Sequence, residues 1–127
     1  MSPTRVLIID EHEAVRQALT DRLCSSGDVE VVGCTGGWQE GVHLAVEAAP
    51  DVVLLETKRS DGQGLAALRR LRAECPKTPI IVLTSYPQPD ERQEVLRSGA
   101  AGYLLKDIGS AYLVQQLRAL TRRHTAH

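Results

Sequence analysis

Five short, almost unbroken aliphatic runs constrain this chain more than any other feature. They are VLII (6–9), VEVVGC (29–34), VVLL (52–55), IIVL (80–83) and GYLL (102–105). A strand with one wet face alternates apolar and polar residues, whereas a strand covered on both faces does not. The runs therefore read as parallel strands lying under helices on either side. Between them, apolar residues recur at helical spacing. The stripes are Val15, Ala18, Leu19 and Leu23; Trp38, Val42, Ala45, Val46 and Ala49; Leu65, Leu68 and Leu71; Val95 and Leu96; and Leu113, Leu117 and Leu120. Strand then helix, five times over, predicts an α/β fold built on one parallel sheet with right-handed crossovers. Ser25-Ser26-Gly27, Pro50-Asp51, Asp61-Gly62 and Ser98-Gly99 mark turns between these elements.

Length and charge narrow the classes. The 127 residues predict one domain over 1–127, with a short basic tail from about residue 122. A net charge of −1 supplies no global attraction to nucleic acid or membrane, and with no Phe, one Trp and three Tyr there is little to stack bases on. Cys24, Cys34 and Cys75 are odd in number and widely spaced, which argues against a disulfide framework or a zinc site. Neither a signal-peptide pattern nor a membrane-length apolar run is present, so a cytoplasmic protein is expected.

Ligands of open parallel sheets bind beyond the carboxyl ends of the strands. Reading those ends gives Asp10-Glu11 after the first run, Glu56 after the third, Thr84-Ser85 after the fourth and Lys106-Asp107 after the fifth. Asp10, Glu11 and Glu56 are hard oxygen donors of the kind that hold Mg²⁺. Lys106, and Lys58 two residues beyond Glu56, would offset their charge. Thr84 offers a hydroxyl to an anionic oxygen. Carboxylates, a metal and lysine around an acceptor describe a phosphoryl-transfer pocket.

On the motifs RVLIIDEHEAVRQAL, PDVVLLETKRSDGQGL, PIIVLTSY and GAAGYLLKDI, the chain resembles the receiver domain of two-component response regulators, most nearly the NarL/FixJ type. The resemblance implies a doubly wound, flavodoxin-like (βα)5 fold with strand order 2-1-3-4-5. It makes Asp10 and Glu11 the metal-binding pair, with Glu56 and the Thr57 backbone carbonyl completing the Mg²⁺ site. Thr84 becomes the switch hydroxyl, Tyr103 the switch aromatic and Lys106 the phosphoryl-contacting lysine. Glu56 falls where the family carries its phosphoacceptor aspartate, and Ser60 replaces the usual proline. Together with Lys58-Arg59, that second change argues for natural divergence over a single designed substitution.

A glutamate carboxylate stands roughly 1.5 Å further out than an aspartate's. An error of about 1 Å can cost on the order of 100-fold in an in-line transfer, so ordinary phosphorylation of Glu56 is disfavoured. Two other outcomes stay open. Thr84 and Lys106 could close on Glu56 itself and bias the domain toward an active arrangement. Alternatively, Lys58 could fold back onto Glu56 and leave an inert scaffold.

The expected role is a non-enzymatic signalling module acting by protein contact, with a sensor kinase or downstream effector as partner. A homodimer is expected through helix 4, strand 5 and helix 5, the face with Tyr86, Tyr103 and Tyr112, or through helices 1 and 5. The resemblance also implies that a longer protein would add a helix-turn-helix domain, so no direct nucleic-acid or membrane binding is expected of this chain. Other polar residues have simpler explanations. His12 reads as an exposed residue at a helix start and Asp61 as a turn former. Trp38 reads as core or subsurface, and Arg69, Arg70, Arg72, Arg118, Arg122 and Arg123 as solvated helix faces. The cysteines read as small core fillers.

Overall fold

The computed structural model describes residues 2–125, with side chains through Thr121. Five strands alternate with five helices. They are β1 (Thr4–Ile9), α1 (Glu13–Cys24), β2 (Val29–Thr35), α2 (Trp38–Ala48), β3 (Val52–Leu55), α3 (Gly64–Glu74), β4 (Ile80–Thr84), α4 (Pro89–Arg97), β5 (Gly102–Leu105) and α5 (Ser110–Thr125). The strands form one parallel sheet in the order β2-β1-β3-β4-β5. This is the parallel sheet expected from the strand and helix pattern, in the doubly wound, flavodoxin-like order that the resemblance implies.

The unbroken apolar runs feed two cores, because successive side chains leave a strand on opposite faces. Leu7, Ile9, Val53, Leu55, Ile80 and Val82 point to one side, where Val42 and Ala45 of α2, Leu68 and Leu71 of α3, and Val95 of α4 cover them. Val6, Ile8, Val52, Leu54, Ile81 and Leu83 point to the other, under Leu19 and Leu23 of α1 and Leu113 and Leu117 of α5. Each fully buried aliphatic side chain contributes about 1.5–3 kcal/mol, so the two layers fix the strand ends firmly.

Several expectations need correction. Ala18 and Val46 sit at the edges of their helical stripes and are exposed, as is Ala49, which caps α2. Cys24 and Cys34 are also exposed, the first at the end of α1 and the second on the edge strand β2, so only Cys75 is partly covered. Arg72 is half-buried, and its guanidinium bonds the Thr78 carbonyl at 3.3 Å rather than facing solvent freely. The tail expected from about 122 continues α5 as far as Thr125, since no glycine or proline interrupts it; residues 126 and 127, and the side chains of Arg122 and Arg123, lie outside the described residues.

Candidate functional site

The hydrogen-bond ladder runs one residue past three strands, and that extension sets the rim. The Asp10 N–H bonds the Thr35 carbonyl at 3.0 Å, the Glu56 N–H bonds Ile9 at 3.0 Å and the Lys106 N–H bonds Thr84 at 2.8 Å. These three residues are thus held by the sheet itself, and their side chains converge. The Lys106 ammonium donates to Asp10 Oδ2 at 2.6 Å and lies 2.7 Å from Glu56 Oε1. Asp10 and Glu56 are buried almost completely, and Lys106 is largely covered.

Two arginines that the sequence reading did not single out brace this cluster. Arg22 of α1 clamps the segment that carries Lys106, bonding the Lys106 carbonyl at 2.7 Å, the Ser110 hydroxyl at 3.1 Å and the Ile108 carbonyl. Arg16 bonds the Asp10 carbonyl at 2.8 Å. No local pattern in the sequence marks either residue as a brace: the partners of Arg22 come from a distant segment, and Arg16 serves a backbone carbonyl six positions before it.

The electrostatics follow from this packing. Burial alone would weaken the Lys106 ammonium, but bonds to Asp10 and Glu56 outweigh it and hold its pKa above the ordinary lysine value. Glu11 stands apart from the cluster. Its two oxygens accept the Ser60 N–H and the Ser60 hydroxyl, each at 2.7 Å. Those bonds, the hydroxyl's first, lower its pKa, with Arg59 and His12 adding to the effect.

Each carboxylate oxygen of the three acids is met by a donor from the chain. Asp10 Oδ1 takes the His12 N–H at 2.9 Å, and Glu56 Oε2 takes the Lys58 N–H at 2.8 Å. Lys106 meets the second oxygen of each, and Ser60 meets both of Glu11. The three acids expected to hold Mg²⁺ with the Thr57 carbonyl are thus paired within the chain. Among the described residues no group of three or more His, Cys, Asp or Glu side chains is placed to share a metal. The Thr57 carbonyl packs against the start of α3, so closely that a Cβ on Gly64 would stand 1.7 Å from its oxygen. Only glycine permits that approach.

The remaining candidates separate. Lys58 does not fold back onto Glu56: its ammonium bonds the Tyr86 carbonyl at 2.6 Å, lies 3.7 Å from Glu91 and sits 5.8 Å from the Tyr86 ring centre. The pocket's cation is Lys106. Thr84 is fully buried, and its hydroxyl accepts the Tyr86 N–H at 3.2 Å. Tyr103 packs its ring on the core, donates its hydroxyl to Glu91 and accepts the Gln88 N–H at 3.0 Å. Burial and the Glu91 bond raise the Tyr103 pKa. His12 is exposed before α1, with its ring 3.2 Å from Asp10. Asp61 accepts the Gln63 N–H at 2.9 Å as a turn former, and Gly62 follows at φ 72°. Among the described residues, no helix is long and apolar enough to cross a membrane.

Known proteins agree with this architecture. The family model described as the response regulator receiver domain matches residues 6–118. The transcriptional regulatory protein LiaR of Bacillus subtilis (strain 168) is 39% identical over 118 residues, covering 93% of this chain and 56% of that protein. The DNA-binding transcriptional activator DevR/DosR of Mycobacterium tuberculosis (strain ATCC 25618 / H37Rv) is 32% identical, covering 90% of this chain and 52% of its own. The chain therefore spans about half the length of these curated relatives. The signal receiver domain of the putative response regulator NarL from Mycobacterium tuberculosis superposes with a TM-score of 0.87 at 28% identity, covering 96% of this chain and 98% of that one. Matched over most of its length in sequence and in fold, this chain belongs to the response regulator receiver domain family.

Proposed function

We propose that this receiver domain signals through protein contacts without aspartyl phosphorylation, with Glu56 standing at the family's phosphoacceptor position. The observation that carries this reading is the Lys106 ammonium, bound between Glu56 at 2.7 Å and Asp10 at 2.6 Å. Receiver domains generally bind Mg²⁺ at the phosphorylation site. Here an internal ammonium pairs with two of the acids, and Glu56 already fills the reach of the lysine that would grip a phosphoryl group.

A carboxylate carries less charge and fewer oxygens than a phosphoryl group, so the bias toward an active arrangement is partial. Thr84 supports that partial character, since its hydroxyl serves the Tyr86 backbone. The partner is a sensor kinase or a downstream effector, and the surface of α4, β5 and α5 is the proposed contact and self-association face. Tyr86 and Tyr112 are exposed there. The half-length match to LiaR and DevR/DosR supports a place as the regulatory half of a longer DNA-binding regulator.

The test is intact mass after incubation with acetyl phosphate and Mg²⁺, run beside Glu56→Asp. The native chain is expected to gain no phosphoryl mass. A gain that maps to Glu56 overturns the reading. Gain in Glu56→Asp alone assigns the block to residue 56, and no gain in either assigns it to the wider rim.

A further inference from the structure

The residues just past Glu56 tie its loop to each neighbouring loop of the rim. Lys58 reaches the Tyr86 carbonyl beyond β4, Arg59 reaches the Gly36 carbonyl beyond β2 at 2.8 Å, and Ser60 reaches Glu11 beyond β1. Arg59 is unusual for a loop arginine. Its side chain is only 5% exposed, it pairs with Asp61 at 3.1 Å, and its Nη1 is buried without a hydrogen-bond partner. A buried guanidinium anchored at both ends fixes the path of the loop, and with it the position of the next residue, Ser60.

Ser60 then presents two donors to one carboxylate. Its N–H meets Glu11 Oε1 and its hydroxyl meets Oε2, each at 2.7 Å, a two-point grip on an ionised group. We propose that Ser60 is a latch that withholds Glu11 from divalent cations, so that the rim is held together by the chain's own donors instead of by a metal. This rests on the phosphate-independent reading but concerns the cation site, whose binding is read separately from phosphoryl transfer. A divalent ion needs Glu11 to turn inward beside Asp10, and the latch opposes that turn with both bonds at once. Proline at position 60 can donate neither bond, because it lacks the N–H and the hydroxyl.

The experiment is Mn²⁺ titration followed by electron paramagnetic resonance, with Mg²⁺ as competitor, on the native chain, Ser60→Pro, Ser60→Ala and the double variant Glu11→Gln/Ser60→Pro. Urea unfolding identifies which variants are folded. Ser60→Pro is expected to tighten Mn²⁺ binding about tenfold and Ser60→Ala about threefold, since the alanine keeps the backbone bond. Adding Glu11→Gln is expected to cancel the gain. If Ser60→Pro does not fold, Ser60→Ala decides. Equal affinity in the native chain and a folded Ser60 variant overturns the latch, as does a gain that survives Glu11→Gln. Neither outcome depends on whether Glu56 accepts a phosphoryl group.

Discussion

The rim holds two sets of polar contacts of similar length and unlike setting. The inner set joins Lys106 to Asp10 and Glu56, at 2.6 and 2.7 Å, with side chains 11, 3 and 5% exposed. The outer set joins Lys58 to Tyr86 and Glu91, and Ser60 to Glu11, on the solvent side of the same loops. Distance does not separate the two sets; the surroundings do. A charge already removed from water cannot recover hydration when its partner is lost, whereas an exposed one can. The inner set should therefore govern stability, and the outer set should govern which groups reach the site.

The largest expected effect comes from breaking the inner set at its centre. Lys106→Met leaves Asp10 and Glu56 facing each other in a buried site with no cation between them. Loss of one partner from a buried ionic cluster costs about 3–5 kcal/mol. Urea unfolding at neutral pH should report that loss as a lower midpoint. Added Mg²⁺ is a sharper probe of the same variant, because restored stability would show the two acids accepting a replacement cation. A loss under about 1 kcal/mol would place the inner set with ordinary surface pairs and remove the contrast.

Glu56→Gln tests the same cluster more gently and through pH. The amide keeps an oxygen near Lys106 but removes a full charge, at an expected cost of about 2 kcal/mol at neutral pH. Lys106 has a folded pKa raised above its unfolded value. Its contribution is thus fully present below the unfolded pKa and is lost as pH rises through the folded one. Glu56 is one of the two partners that raise that pKa, so the native chain should lose more stability than the variant as pH rises above the unfolded lysine pKa. Once both ammonium groups are deprotonated, the gap between the two should close. A gap unchanged across the alkaline range would mean that Lys106 is not the group stabilised by Glu56.

The same contrast explains what the sequence made legible. Asp10, Glu56, Thr84 and Lys106 were placed on one rim because each follows directly on an apolar strand, and the sheet carries strand ends to a common edge. Their meeting is a consequence of topology, which hydrophobic pattern encodes. Lys58 was open to misreading because its backbone is three residues past the strand, where loop geometry decides the side chain's direction. It turned toward Tyr86 and Glu91, although its N–H does serve Glu56. The Ser60–Glu11 grip had one sequence signal, a residue with two donors where proline is usual, but nothing local paired it with a carboxylate 49 positions away. Arg22 had none, since its partners lie more than 80 positions on. Helical stripes likewise overreached at Ala18 and Val46, because periodicity does not say how wide a neighbour is.

The smallest expected effect belongs to the outer tie between Lys58 and Glu91. The pair is separated by 3.7 Å, and the lysine is about one-third exposed. Glu91 also accepts the Tyr103 hydroxyl and Lys58 also bonds the Tyr86 carbonyl, so removing either ion leaves the other with a partner. A double-mutant cycle of Lys58→Met and Glu91→Gln should yield a coupling below about 0.5 kcal/mol, falling further in high salt as exposed charges are screened. The cycle is informative because Lys58 links the loop after Glu56 to α4 and, through Glu91, to Tyr103. A coupling above about 1.5 kcal/mol, insensitive to salt, would show that this link behaves like the buried cluster. The outer contacts would then help to set the conformation of the α4 face, beyond controlling access to the acids, and the division between an inner set for stability and an outer set for access would fail at Lys58.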